Sequence, residues 1–224
     1  MPHDLSFVYF NEYDEVSVYR CGLPHWRQDG VLYFVTFRLG DSLPIFVTSG
    51  WKEERKVWLS ARGIRSESDL CKLPPRERYL FARHFNRKAH IALDNSHGAC
   101  WLRNPQVARV VADTFHEGDG TRYALGDFII MPNHVHALVA PAPDQKIEQI
   151  LKGWKGRSAR FANKVLGRTG KFWQRESYDR IVRDEKELAA FQTYIAENPV
   201  KAALREGHYL LGRGALFGEH ASPT

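Results

Sequence analysis

Residues 122–140 read RYALGDFIIMPNHVHALVA, two apolar runs separated by the tripeptide MPN. Each run is short and rich in β-branched, aromatic or other apolar side chains, which is typical of a buried strand. A proline followed by an asparagine between two such runs is typical of a tight connection. The stretch therefore predicts two strands, 122–130 and 134–140, joined as a short hairpin.

The segments on either side of this hairpin indicate the fold class. The predicted elements are a strand at 31–39, helical material at 51–62 and 74–95, a helix at 104–120, a helix at 144–167, an irregular segment turning into a strand at 172–183, and a helix at 184–199 that stops before Pro199. The order βαββαβ with a final helix predicts an α+β fold with a ferredoxin-like (RRM-like) antiparallel sheet and helices on one face. Such a sheet leaves its other face for a ligand.

The length and composition predict one domain. The chain has 224 residues, of which 43% are hydrophobic, so it can form a substantial packed core. Residues 63–100 are the hardest to assign, and we interpret them as a helical insertion on the main fold. The Gly-rich stretch 210–224 is expected to be a peripheral tail.

Charge and cysteine usage narrow the class of protein. The net charge of +6 favours a polyanion such as nucleic acid as partner, although a basic protein without such a partner is the alternative. Cys21, Cys71 and Cys100 are widely spaced, which argues against a zinc ribbon or a disulfide framework and fits a reducing compartment. No signal-peptide pattern and no long apolar run is present, so we expect a soluble cytoplasmic protein that does not engage membranes.

Two histidines interrupt the second apolar run. Residues i and i+2 of a strand point to the same face, so His134 and His136 should project side by side while Val135 points into the core. Two neighbouring imidazoles are placed to share a divalent cation, and burying them without a ligand would require a hydrogen-bond partner for each. The alternative is that both are coincidental surface histidines.

The final helix provides a candidate third ligand. In YIAENPVK, Tyr194 and Asn198 are four residues apart and therefore lie on one helix face. If this helix crosses the sheet, the amide oxygen of Asn198 can reach the cation and the phenol of Tyr194 stands beside it. The alternative is that Tyr194 is an amphipathic core residue and Asn198 an ordinary residue near a helix end.

Three motifs together resemble a known family. MPNHVHALV, FWQRESYDRIVRDEKEL and YIAENPVKAAL, in this order, resemble the REP-associated tyrosine transposases, relatives of the single-strand HUH transposases with one catalytic tyrosine. A bare His-x-His motif is weak support, but the three motifs in sequence are specific. The resemblance extends over residues 22–205, with 63–100 matching least well.

The resemblance implies roles for particular residues. His134 and His136 would be metal ligands, Asn198 would be the third ligand where the insertion-sequence branch has glutamine, and Tyr194, on a C-terminal catalytic helix, would be the nucleophile. Tyr178, in the second motif, is a rival nucleophile, with a core or DNA-stacking role as its alternative. Imidazole and oxygen ligands suit Mg²⁺ or Mn²⁺. The implied reaction cuts single-stranded, hairpin-bearing repetitive palindromic DNA and leaves a 5′-phosphotyrosine and a free 3′-OH.

The basic residues after the hairpin are candidate DNA contacts. Residues 151–175 contain no Asp or Glu, which favours binding to phosphates over an ordinary solvated face. The predicted nucleic-acid-binding residues are Lys152, Lys155, Arg157, Arg160, Lys164, Arg168, Lys171, Trp173 and Arg175. Trp173 and Trp154 are aromatic surfaces on which unpaired bases could stack, with core packing equally open for Trp154.

Two other functions stay open on the sequence. One is a domesticated hairpin-DNA-binding protein that has lost catalysis, and the other is a metal-dependent phosphodiester hydrolase that uses water as nucleophile. No P-loop motif is present, so ATP is not expected to take part. The sequence is compatible with a monomer or with a homodimer that shares active sites.

Overall fold

The computed structural model describes residues 7–11, 13–14, 17–19, 25–43, 45–94 and 97–217. The strands are β1 Ser17–Tyr19, β2 His25–Arg27, β3 Tyr33–Arg38, β4 Tyr123–Ile130, β5 His134–Pro141, β6 Tyr178–Ile181 and β7 Leu210–Arg213. The helices are α1 Ile45–Ser60, α2 Pro75–Asp94, α3 Pro105–His116, α4 Ile147–Val165 and α5 Glu185–Lys201. None of the helices in this described part has the length and apolar character needed to cross a membrane.

Five strands form one antiparallel sheet in the order β6-β3-β5-β4-β7, and β1 and β2 form a separate two-stranded ladder. The four strands of the βαββαβ unit are β3, β4, β5 and β6 in chain order. In the sheet, β3 and β5 lie in the centre, with β6 beside β3 and β4 beside β5, and β7 is added next to β4. The ferredoxin-like α+β prediction is therefore confirmed. The predicted hairpin is β4 and β5, and its turn is closed by the Met131 N–H, which donates to the His134 carbonyl at 2.9 Å.

Successive side chains of a strand point to opposite faces, and most side chains of the central strands are apolar. Both faces of the sheet are therefore apolar, and both are covered by helices. One face carries Val35, Phe37 and Val135 and packs against α3 and α4. The opposite face carries Phe34 and Leu138 together with other apolar residues, and it packs against α5. The face that bears the two histidines is thus the one that α5 crosses.

Helix α5 continues past the point at which the sequence predicts its end. The expected stop before Pro199 is wrong, since the helix runs to Lys201 with Pro199 inside it. A proline in the last turn removes one backbone hydrogen bond, but the residues after it still form helical hydrogen bonds. For example, the Ala202 N–H donates to the Asn198 carbonyl at 3.0 Å. Asn198 is therefore held in regular helix, in register with Tyr194.

The predicted insertion is helical and begins earlier than expected. Helix α2 closely matches the predicted segment 74–95, while α1 starts at Ile45 rather than at Trp51. The inserted helices bury a small core of their own, separate from both faces of the sheet. Its members are Leu59, Ile64, Leu70, Leu73, Phe81 and Phe85.

The prediction of a peripheral tail at 210–224 is wrong for its first residues, because Leu210–Arg213 forms β7 and pairs with β4 at the sheet edge. Residues 218–224 lie outside the described part of the chain. The glycines that suggested a loop instead permit close packing. A Cβ on Gly212 would lie 2.2 Å from the Phe128 ring.

We expect Gly212→Ala to destabilise the protein by about 1–3 kcal/mol, because the added methyl group must displace the buried Phe128 ring. Gly153→Ala is the matched control. Gly153 lies within α4, and apart from its own helix no atom of the described residues lies within 4 Å of an added Cβ, so alanine should stabilise by about 0.5–1 kcal/mol. Thermal unfolding measures both. Equal melting temperatures for Gly212→Ala and wild type would contradict the packing of β7 on Phe128.

Candidate active site

The two histidines of β5, called the histidine pair below, point to one face and meet at their ring nitrogens. His134 and His136 are both 0% exposed, and their Nε2 atoms are 3.0 Å apart. They are not surface residues, so the alternative of coincidental surface histidines is wrong. Their Nε2 atoms converge on one point, which is the arrangement that a shared cation requires.

The protonation of His134 is fixed by its neighbour. Its Nδ1 lies 2.7 Å from Oδ1 of Asn133, and the Asn133 amide is oriented by donating from Nδ2 to the His97 carbonyl at 3.0 Å. Because Oδ1 can only accept, His134 Nδ1 carries the proton and donates it. In the neutral ring, Nε2 then presents a lone pair toward His136.

Thr36 on β3 holds the other ring. Its Oγ1 lies 2.7 Å from His136 Nδ1, and Thr36 is paired with His136 across the two strands. A hydroxyl can donate or accept, so Thr36 is compatible with either tautomer of His136. In the metal-free arrangement, His136 Nε2–H can donate to His134. When Thr36 accepts from Nδ1–H instead, both Nε2 lone pairs are available to one cation.

Helix α5 brings the phenol of Tyr194 and the amide of Asn198 to this face. The Tyr194 hydroxyl lies 3.4 Å from His136 Nε2, and the Tyr194 ring packs edge-on against Phe34. Asn198 is 1% exposed, and within the described residues neither its Oδ1 nor its Nδ2 has a hydrogen-bond partner. A buried amide without partners is costly, so an additional ligand at Asn198 would satisfy it.

The candidate metal ligands are few and uncharged. Among the described residues, no group of three or more His, Cys, Asp and Glu side chains is placed to hold a metal. The candidate ligands are therefore the two imidazoles and the Asn198 amide oxygen, a set that would leave positions for phosphate and water. The expected choice of Mg²⁺ or Mn²⁺ at these ligands stays a prediction.

Residues 103–198 match the model of a family described as IS200-like transposases. This range contains the histidine pair, the basic stretch, Tyr194 and Asn198. It includes α3, β4, β5, α4, β6 and most of α5. The two-stranded ladder, β3, the inserted helices α1 and α2, and β7 lie outside it.

Two solved structures are similar to this chain. One is a REP-associated tyrosine transposase bound to a REP hairpin, at 16% identity, a TM-score of 0.41, and coverage of 85% of this chain and 76% of that one. The other, from Deinococcus radiodurans R1, is provisionally described as a transposase, at 14% identity, a TM-score of 0.30, and coverage of 86% and 98%. No curated protein matches the sequence.

The rival nucleophile, Tyr178, lies on the same face of the sheet as the histidine pair. It is on β6, opposite Thr36, so β3 lies between its strand and that of His136. Burial raises the pKa of the Tyr178 phenol, as do the charges of Asp179 and Glu187. A raised pKa disfavours the phenolate that attacks phosphorus, so the geometry favours Tyr194.

The basic stretch 151–175 does not form one surface. Helix α4 packs on the face of the sheet opposite the histidine pair. Its exposed cations are Lys152, Arg157, Arg160 and Lys164, of which Arg157 is paired with Glu117 at 2.6 Å. Arg168 is half-buried over the Trp101 ring, while Lys171 and Arg175 are exposed in the segment that follows α4.

Two of the predicted DNA contacts, Trp173 and Lys155, are wrong. Trp173 is 5% exposed and donates its indole N–H to Ser158, so it is a core residue that cannot stack on bases. Trp154 is likewise buried. Lys155 donates from Nζ to the Gln174 and Arg175 carbonyls and to Ser177, and burial lowers its pKa to about 8. Lys155 therefore joins α4 to the following segment rather than contacting DNA phosphates.

Sequence reasoning missed the residues that orient the histidine pair. Asn133 lies in the MPNHVHALV motif directly before His134, but the sequence predicted no role for it. Thr36 and Arg38 share the histidines' i, i+2 spacing in the otherwise apolar run VLYFVTFRL. Two polar residues with this spacing in a buried strand indicate a polar site on one sheet face, and the structure places both opposite the histidines.

We expect Thr36→Val to weaken Mn²⁺ binding about 10–100-fold, because the isosteric side chain cannot accept the His136 Nδ1 proton. Isothermal titration with Mn²⁺ measures the affinity. Thr114→Val is the control, since Thr114 donates to the Val110 carbonyl within α3, which packs on the opposite face of the sheet. Equal Mn²⁺ affinity for the two variants would show that Thr36 does not orient a metal ligand.

Proposed function

We propose that this protein is a transposase that cuts and rejoins single-stranded DNA next to hairpins, through a covalent bond between Tyr194 and a DNA 5′ phosphate. The observation that carries the proposal is the approach of the Tyr194 hydroxyl to within 3.4 Å of His136 Nε2, beside the converging Nε2 atoms of the histidine pair. The family match over the same residues supports it. Repetitive palindromic hairpins are the substrate class that the three sequence motifs imply.

The chain's own residues supply the site. His134, His136 and Asn198 would hold Mg²⁺ or Mn²⁺, with Asn133 and Thr36 orienting the two rings. Bound there, the cation would withdraw negative charge from the scissile phosphate. The apolar contacts of Tyr194 with Phe34 hold the phenol at the edge of this site, so the nucleophile is positioned before DNA binds.

The reaction balances without a further reactant. The Tyr194 oxygen forms a bond to phosphorus, its proton passes to water, and the bond from phosphorus to the DNA 3′ oxygen breaks. That oxygen takes up a proton and becomes a free 3′-OH. A 3′-OH can reverse the step, so the phosphodiester bond is conserved and no ATP is needed.

The exposed cations define a path for DNA. We assign Lys152, Arg157, Arg160 and Lys164 on α4 to phosphate contacts with the hairpin. Lys171 and Arg175 follow in a segment joined to the end of β3, where Gln174 N–H donates to the Arg38 carbonyl at 2.8 Å. This segment links the outer surface of α4 to the end of β3, where Arg38 is paired with His134, so a single DNA strand would follow it.

A labelled hairpin oligonucleotide with single-stranded flanks tests the proposal. Incubated with wild-type protein and Mn²⁺, it should give an adduct that survives SDS and carries only the label of the fragment 3′ to the cut. EDTA should abolish the adduct. Cleavage without an adduct would indicate the hydrolase, hairpin binding without cleavage would indicate the non-catalytic binding protein, and either result would overturn the proposal.

A further inference from the structure

Arg38, at the end of β3, lies beside the histidine pair. It is directly opposite His134 in the β3–β5 register. The neighbouring Leu39 N–H donates to the Asn133 carbonyl at 2.8 Å, so Arg38 and His134 form the alternate, non-hydrogen-bonded type of pair. In such pairs the side chains are closest, and both point to the same face. The Arg38 side chain therefore begins next to the candidate metal site.

The charge of Arg38 is not balanced by a carboxylate. Its guanidinium is half-buried and donates to the Ser42 hydroxyl at 3.2 Å, and no carboxylate of the described residues lies within ion-pair distance. Burial and the positive charge of Arg55 lower its pKa to about 10. A partly desolvated cation near a like charge is unfavourable unless an anion binds to it.

Two other partly buried arginines differ in this respect. Arg27 is paired with Glu148 and Asp179, each at 2.5 Å. Arg180 is paired with Glu187. These two cations are neutralised by carboxylates, whereas the partner of Arg38 within the described residues is a neutral hydroxyl. A guanidinium in that state is suited to bind a phosphate through two parallel hydrogen bonds.

The position of Arg38 along the sheet indicates which part of the DNA it meets. Tyr194 contacts His136, whereas Arg38 is paired with His134, so the phenol and the Arg38 side chain start from different ends of the histidine pair along β5. In phosphoryl transfer, the attacking and leaving oxygens lie roughly in line on opposite sides of phosphorus. A phosphate held between the two side chains would therefore present its leaving 3′ oxygen toward Arg38.

We infer that Arg38 binds the phosphate backbone of the DNA segment 5′ to the cut, the segment that ends in the new 3′-OH. This inference rests on the proposed function for the direction of the DNA strand. Arg38 retains the released segment beside Tyr194, so that its 3′-OH can reverse the reaction or be exchanged for another. Its role is to contact substrate, unlike Thr36 and Asn133, which act through the histidines.

Equilibrium binding in the Tyr194→Phe background, with EDTA, tests Arg38 without any chemistry. Two hairpin oligonucleotides are compared, one with a single-stranded flank only 5′ to the cut and one with a flank only 3′ to it. We expect Arg38→Met to weaken binding of the first about tenfold or more and of the second less than about twofold. The salt dependence of binding to the first should fall by about 0.7 in its logarithmic slope, the value for one single-strand phosphate.

The matched control is Arg109→Met, an exposed arginine on α3 with no assigned role. Equal affinities for Arg38→Met and Arg109→Met, or equal weakening of both oligonucleotides by Arg38→Met, would overturn the inference. The binding assay needs neither metal nor covalent chemistry. If the wild-type protein formed no adduct, the proposed function would be refuted, but the effect of Arg38→Met on DNA binding could still be measured.

A melting temperature separates substrate binding from a structural role. Arg38→Met removes a desolvated charge near Arg55, so the variant should melt at the same temperature as the parent or higher. Arg38→Lys keeps the charge but loses the planar fork, and we expect an affinity between those of Arg and Met. A melting temperature several degrees lower, with both oligonucleotides bound more weakly, would assign Arg38 to the fold and overturn the inference.

Discussion

Replacing Tyr194 with phenylalanine should lower covalent DNA attachment by at least about 10³-fold, because the substitution removes only the nucleophilic oxygen. The ring contacts with Phe34 and His136 do not depend on the hydroxyl, so folding and hairpin affinity should be retained. The measurement is the yield of SDS-stable adduct with saturating hairpin oligonucleotide and Mn²⁺. Hairpin affinity of the same protein sample is measured in parallel, to show that the substrate is still bound.

Tyr178→Phe is the matched control for this experiment. Both phenols lie on the same face of the sheet. Tyr194 contacts His136 directly, whereas Tyr178 is on β6, with β3 between it and β5. Tyr178→Phe should therefore form adduct at close to the wild-type rate. If instead Tyr178→Phe abolishes the adduct and Tyr194→Phe does not, the nucleophile is on β6 and the role assigned to α5 is wrong.

Replacing either member of the histidine pair with glutamine should lower adduct formation about 10²–10³-fold and abolish detectable Mn²⁺ binding. Each imidazole supplies one of only three candidate ligands, and the third is a neutral amide. Glutamine approximates the volume of the imidazole, which limits the cavity left in the buried site. The measurements are calorimetric titration with Mn²⁺ and adduct yield across a range of Mn²⁺ concentrations.

His116→Gln is the control for the histidine variants, because His116 lies at the end of α3, which packs on the opposite face of the sheet. It should bind Mn²⁺ and form adduct as the wild type does. Wild-type Mn²⁺ affinity in both His134→Gln and His136→Gln would remove the metal site from the mechanism. If these variants kept wild-type Mn²⁺ affinity but no longer formed the DNA adduct, the histidine pair would instead contact the substrate.

Much of the fold was predictable because it depends on local patterns. The apolar runs on both sides of MPN predicted β4 and β5. The helix predicted from residue 104 begins as α3 at Pro105, where Asn104 accepts from Gln106 N–H at 2.9 Å. These signals act within a few residues of the chain, so the sequence contains them in full. The element order then restricted the topology to the one observed.

The errors in the fold have a common physical cause. Pro199 and the glycines near Gly212 are local signals for interruption, yet both lie in regular elements. Packing against distant residues, such as Phe128 against β7, outweighs the local preference. Trp173 and Lys155 were misassigned for the same reason, because only the packing of α4 decides whether a side chain is exposed.

For the candidate site, the sequence alone determined that His134 and His136 share one face and that Tyr194 and Asn198 share another, since both follow from the periodicity of a strand and of a helix. Only the tertiary structure decided that these two faces meet, that Thr36, Asn133 and Arg38 surround the histidine pair, and that the basic face of α4 lies on the far side of the sheet. The reason is that periodicity fixes the direction of a side chain relative to its own element. The docking of one element on another depends on apolar contacts between residues far apart in the chain.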